Sequence, residues 1–131
     1  MIVDTSAWVE FLRGTGSQAD RMVSEALQDG RPISVAGVIV EEVLQGCRSE
    51  TQAREVHRLL TGCRSVEPVY PETYAHAALL YRRCRRAGKT VRATIDCLIG
   101  ALALEHELSV LTLDRDFDAL SSVTGVRVLR V

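Results

Sequence analysis

Apolar positions along this chain fall into two patterns, short continuous runs that suit strands and i, i+3, i+4 stripes that suit helices. Ile2-Val3 is a short apolar run ending at Asp4-Thr5-Ser6, all helix-starting residue types, and Trp8, Phe11 and Leu12 then recur at helical spacing. This predicts a strand followed at once by a helix. Gly14-Thr15-Gly16-Ser17 breaks the chain, a second helix is expected over Gln18–Gln28, and Asp29-Gly30-Arg31-Pro32 breaks it again. Ile33-Ser34-Val35 reads as a strand, after which Gly37 leads into a helix through about Arg48. Further helices are expected over Gln52–Leu60, Pro71–Ala87 and Ile95–Glu107. Leu108-Ser109-Val110-Leu111-Thr112 returns as a buried strand, Asp116–Leu120 makes a short helical turn, and Val126–Leu129 closes as a last strand. Strands alternating with helices imply a three-layer α/β fold, a mainly parallel sheet with helices on both faces. One domain over residues 1–131 is expected, without internal repeat, low-complexity segment or linker.

Composition narrows the class. Hydrophobic residues make up 47% and charged residues 25%, ordinary globular usage that argues against disorder or a fibrous repeat. No apolar run approaches the roughly 18 to 20 residues of a membrane span. Met1-Ile2-Val3-Asp4 puts an acid where a signal peptide would carry basic residues, so a cytoplasmic location is expected. Cys47, Cys63, Cys84 and Cys97 contain no C-x-x-C spacing and read as small buried hydrophobes rather than disulfides or zinc ligands.

The acids carry the chemistry. Ligands of open parallel sheets sit outside the carboxyl ends of the strands, and Asp4 ends the first strand. Its competing reading is an N-cap for the following helix. Asp96 lies beside the stripe Ile95, Leu98, Ile99 and Leu102, where a carboxylate is costly unless paired, hydrogen-bonded or metal-bound; otherwise it complements the helix dipole behind a Thr94 cap. Gly100 and Ala103 keep that face small, as if for a close approach. Asp114 and Asp116 follow the strongest strand signal, with Asp116 alternatively capping a short helix. Of the adjacent pair Glu41 and Glu42, helical geometry sets Glu41 over the polar strip of Gly37, Gln45 and Arg48. Glu42 falls with Val38, Ile39 and Gly46 at the edge of the apolar face and is the one expected to point inward. Four or five acids at one sheet edge repel one another unless a cation sits among them, and Mg²⁺ or Mn²⁺ takes such oxygen ligands. His57, His76 and His106 are scattered over predicted helices and offer no site for a softer metal.

Net charge is −1, which on its face opposes a polyanionic partner; with five acids neutralised by metal, the remainder carries +4. Arg82, Arg83, Arg85, Arg86, Lys89 and Arg92 place six basic residues in eleven positions just before Asp96, suited to phosphate or else to a solvated helix end. With two Phe, three Tyr and one Trp, no aromatic platform for reading bases is apparent, and Trp8 is better placed for the core.

Four segments, Ile2-Val3-Asp4-Thr5-Ser6, Glu42-Val43-Leu44-Gln45-Gly46, Asp96-Cys97-Leu98-Ile99-Gly100-Ala101 and Leu111-Thr112-Leu113-Asp114-Arg115-Asp116-Phe117, together resemble the PIN-domain family. The resemblance runs nearly end to end and is specifically to the small VapC-type toxins of bacterial toxin–antitoxin pairs. It implies a Mg²⁺- or Mn²⁺-dependent endoribonuclease in which Asp4, Glu42, Asp96 and Asp114 bind metal, with Asp116 as an additional acid. Thr5, Ser6 and Thr112 match hydroxyl positions that support the family's site by hydrogen bonds. The resemblance further implies RNA products with 5′-phosphate and 3′-hydroxyl ends, a small VapB-type antitoxin partner, and a homodimer or hetero-oligomer. Two other classes compete. An aspartyl-phosphate phosphatase also opens with a strand-end Asp but carries a second Asp where this chain has Ser6. A non-catalytic receiver-like module wants a lysine after its last strands, and Lys89 is the chain's one lysine; a degenerate PIN module should have lost a main acid.

Overall fold

The computed structural model describes residues 1–131. Twelve elements follow in order: β1 (Ile2–Val3), α1 (Thr5–Arg13), α2 (Gln18–Gln28), β2 (Ser34–Val35), α3 (Gly37–Gln45), α4 (Glu50–Thr61), β3 (Arg64–Ser65), α5 (Glu72–Arg86), α6 (Thr94–Glu105), β4 (Val110–Thr112), α7 (Asp116–Thr124) and β5 (Val128–Arg130). The sheet order is β3-β2-β1-β4-β5 and every pairing is parallel. Parallel strands need crossover helices, which pack on both faces and bury the strands. Ile2, Val3, Val110 and Leu111 are accordingly fully buried. The strand order reverses at β1, so the crevice of the fold opens beyond the carboxyl ends of β1 and β4.

The helices form where periodicity and punctuation agree. Helix α1 buries Ala7 and Trp8 and stops at Gly14, whose φ of 60° suits the left-handed region that glycine enters without strain. Ser17 and Ser49 cap α2 and α4 by accepting the backbone N–H of Asp20 and Gln52. Helix α6 is buried at eight positions from Asp96 to Ala103, packed against α5 and α7. Its small residue Gly100 serves that packing: a Cβ there would lie 3.5–3.6 Å from Leu80, Leu120 and Val126, ordinary contact between neighbouring apolar groups.

Some expectations shift. Strand β3 has no apolar signature; both its residues are exposed, and backbone bonds from Arg64 to Ile33 and from Val66 to Val35 hold it. Thr94 is the first residue of α6 rather than its cap, which falls on Ala93 with no side-chain bond. Helix α7 runs on to Thr124, where Gly125 ends it at φ 82°, and β5 begins two residues later than expected. The four cysteines are free, Cys84 and Cys97 buried and Cys47 and Cys63 half-buried. Trp8 lies wholly in the core, edge-on to Phe11 at 5.9 Å, so it presents no face to a base.

Candidate metal centre

Strand register builds the site. Ile2 and Val3 pair with Val110 and Leu111, and the Asp4 N–H donates to the Leu111 carbonyl at 3.0 Å, which sets Asp4 beside Thr112 at the end of β4. Asp4 stands at the N-cap position of α1 but its carboxylate caps nothing. Instead its Oδ2 accepts from Thr112 Oγ1 at 2.9 Å and Ser6 Oγ at 3.0 Å. Ser6 Oγ in turn accepts the Leu113 N–H at 3.0 Å, and Thr112 Oγ1 accepts the Asp114 N–H at 2.9 Å. These two hydroxyls stitch the end of β1 to the turn after β4. Thr5 Oγ1 donates to Glu42 Oε1 at 2.9 Å, tying α3 to the same edge. Glu42 is half-buried and Glu41 exposed, as the helical geometry requires, and no ion pair joins Glu41 to Arg48. Gly46 is the exposed C-cap of α3 and lines the same groove as Glu42.

Asp96 enters from the first turn of α6, and Asp114 and Asp116 from the turn after β4. One carboxylate oxygen from each of these three lies within 4.8 Å of the others. Asp114 Oδ1 accepts the Asp116 N–H at 2.9 Å, an Asx-type turn that aims both side chains. Burial first, then the fields of Asp114, Asp4, Asp116 and Glu42, push the Asp96 carboxyl up to about 7. Its Oδ2 is buried and has no hydrogen-bond partner. A buried carboxylate oxygen without a donor costs free energy that a cation recovers. The clustered ligands are three carboxylates, hard oxygen donors that fit Mg²⁺ or Mn²⁺ rather than a softer metal.

The basic segment divides. Arg82, Arg83, Arg85 and Arg86 project from the last turns of α5, with Arg85 over the Tyr81 ring at 5.7 Å. Lys89 Nζ donates to Ser122 Oγ of α7 at 3.0 Å, and Arg92 donates to Asp116 through its backbone N–H at 2.9 Å and Nε at 3.2 Å. Sequence reading passed over Arg130. Its Nη1 donates to the Asp114 carbonyl at 2.9 Å and to Asp118 at 3.0 Å, steadying the turn that carries Asp114. The pairing of Thr112 with Arg130 across β4 and β5 is what places it there.

The PIN-domain family model matches residues 1–122, which include every acid just described. The chain belongs to the PIN-domain family. Among PIN-domain proteins it is 37% identical over 128 residues to VapC ribonuclease Mb1587 of Mycobacterium bovis, covering 97% of this chain and 96% of that one. Ribonuclease VapC11 of Mycobacterium tuberculosis matches to the same extent, so this chain stands with the VapC-type members. The PIN fold also superimposes on VapBC2 from Rickettsia felis bound to a DNA fragment from its promoter (TM-score 0.76, 12% identity, 99% and 97% of the two chains). VapBC-5 from Mycobacterium tuberculosis, of the VapBC family of toxin–antitoxin systems, gives a TM-score of 0.69 at 22% identity over 99% and 97%.

Proposed function

We propose that this PIN-domain chain is a metal-dependent endoribonuclease, the toxin of a toxin–antitoxin pair, acting in the cytoplasm as one domain over residues 1–131. The observation that carries the reading is the partnerless buried Oδ2 of Asp96 among four other carboxylates at the sheet's switch point. The mycobacterial relatives named as VapC ribonucleases, matched over nearly their whole length, support the reaction class. Retention of all the main acids, together with Ser6 in place of a second Asp, disfavours the degenerate-module and phosphatase readings.

In this reading Asp4, Glu42, Asp96 and Asp114 hold Mg²⁺ or Mn²⁺, with Asp116 as the additional acid. A bound ion of this kind lowers the pKa of water and polarises a phosphodiester. The protein's own groups do the rest. Thr5 fixes Glu42, while Ser6 and Thr112 fix one oxygen of Asp4, so the remaining lone pairs stay directed into the cleft. Asp4 and Asp96 are equally buried and Asp116 nearly so, which keeps the carboxylate cluster largely shielded from solvent. The arginines of α5 hold flanking phosphates, where their charge displaces counterions.

Two grooves support the partners. Beside Glu42, Val9, Leu12 and Val43 floor a groove edged by Arg13 and Arg48, which suits an acidic amphipathic segment such as a small VapB-type antitoxin would offer. Between α5 and α6, Tyr74, Ala77, Tyr81, Ile95 and Leu98 line a mainly apolar groove that suits a second copy of the chain.

The test is metal removal. RNA cleavage should stop in excess chelator and return with added Mg²⁺ or Mn²⁺, followed by gel analysis of a labelled RNA. Undiminished cleavage after chelation, in protein free of bound metal by elemental analysis, would overturn the reading.

A further inference from the structure

We infer that Arg92 is the phosphodiester-binding arginine of the acidic cleft and that Asp116 is its positioning residue. The inference rests on the ribonuclease reading above. Arg92 lies in the connection between α5 and α6, and both of its bonds to Asp116 come from one residue: the backbone N–H reaches Oδ2 and the side-chain Nε reaches Oδ1. The two ends of the pair differ in exposure. The Asp116 side chain is 10% exposed and that of Arg92 is 77% exposed, so the root of the guanidinium is anchored while its tip is open.

Nη1 and Nη2 of Arg92 make no hydrogen bond within the chain, whereas Nη1 of Arg130 is spent on the Asp114 carbonyl and Asp118. A guanidinium anchored through Nε keeps the planar pair of donors that matches two phosphate oxygens. Its place also matters. Asp116 shares the tight cluster with Asp96 and Asp114, so the open tip stands at the rim of the carboxylates. A cation there opposes a metal ion unless an anion comes between them, and a bridging phosphodiester satisfies both. Two other basic residues of the segment are engaged elsewhere: Lys89 is tied to Ser122, and Arg85 lies over Tyr81. The backbone N–H bond to Asp116 survives loss of the side chain, so the connection stays anchored in a truncated variant.

The experiment compares wild type, R92A, R92K, D116N and the R92A/D116N double variant, each checked for folding by circular dichroism. Mn²⁺ affinity is measured by calorimetry on the metal-free proteins, RNA binding by anisotropy in chelator, and kcat and KM on a short RNA. R92A should keep Mn²⁺ affinity within about twofold while kcat falls about tenfold or more, the cost of losing a charge-assisted donor to the reacting phosphate. R92K, which keeps the charge but loses the anchored fork, should recover little of that loss, and should decide the matter if R92A fails to fold. R92A should also weaken RNA binding in chelator. The double variant should lose less than the product of the two single losses, because part of the Asp116 effect acts through Arg92 and the rest through the carboxylate cluster. Wild-type kcat and KM in R92A, a loss of Mn²⁺ affinity in R92A, or independent, multiplying effects of the two substitutions would overturn the inference. Failure of the wild type to bind Mn²⁺ or cut RNA would overturn the ribonuclease reading itself, and is read on a different protein.

Discussion

Replacing Asp96 by Asn should make the metal-free protein more stable while removing its response to metal. The folded-state carboxyl titrates at about 7 against an ordinary value of 3.8. Between these values the native state holds a proton that the unfolded chain has released, so stability falls as pH rises from about 4 to about 7 and then levels off. At 1.36 kcal/mol per unit the full loss is roughly 4 kcal/mol, an upper figure because the surroundings relax. Asparagine carries no charge at any pH in this range, and its amide can donate to the carboxylates around it. The gain should therefore be smallest near pH 4, already amount to about a third of its full value at pH 5, and reach its plateau above pH 7.

Urea denaturation of both proteins in chelator at several pH values from 5 to 9 measures this directly. The stability difference should grow with pH in favour of the Asn variant, and Mn²⁺ should raise the midpoint of the wild type far more than that of the variant, as ligand linkage requires. RNA cleavage by the folded variant should be lost. A variant less stable than wild type at pH 8 without metal, or a difference that does not change with pH, would refute the electrostatic account of Asp96.

Glu42→Gln should abolish metal-dependent cleavage and Glu41→Gln should leave activity and stability nearly unchanged, since only Glu42 receives the Thr5 hydroxyl; a paired nuclease assay checks it, and an inactive Glu41 variant would mean that the inward-facing residue is misassigned. Replacing Arg85 and Arg86 together by Ala should weaken RNA binding and reduce its salt slope by up to about 2, read from a salt titration, with kcat little altered.

Much of this architecture was legible because hydrophobic periodicity survives single substitutions and turn residues mark its limits. The parallel sheet followed from the alternation of strands with helices, which cover both faces and bury residues such as Val110 and Leu111. Strand β3 was not legible, since Arg64-Ser65 is exposed and joins the sheet through backbone bonds that any residues could make. At the site, helical geometry distinguished Glu42 from Glu41 because one face of α3 is apolar. The same local reasoning could not divide the basic segment. Lys89 and Arg92 meet Ser122 and Asp116 from positions 33 and 24 residues away, and such pairings depend on how α5 and α7 pack. Asp4 shows the reverse case: its position before α1 looks like a cap, yet two hydroxyls turn its carboxylate toward β4 instead.

The fold already supplies what a protein can offer to hold negative charge without an ion. Asp4 precedes α1, Asp96 lies in the first turn of α6 and Asp116 opens α7, so three acids sit where helix dipoles favour them. Hydroxyls from Thr5, Ser6 and Thr112 and the backbone N–H groups of Arg92 and Asp116 take up further carboxylate oxygens. Even so, Asp96 remains pushed to about 7 and one of its oxygens remains without a partner. Dipoles contribute about 0.3 to 1 kcal/mol each, too little to offset the roughly 4 kcal/mol set by burial and four neighbouring carboxylates. The missing contribution is a positive charge at the centre of the cluster. Arg92 stays at the rim because its backbone is tied to Asp116, which leaves the position beside Asp96 open to a cation such as the proposed metal ion.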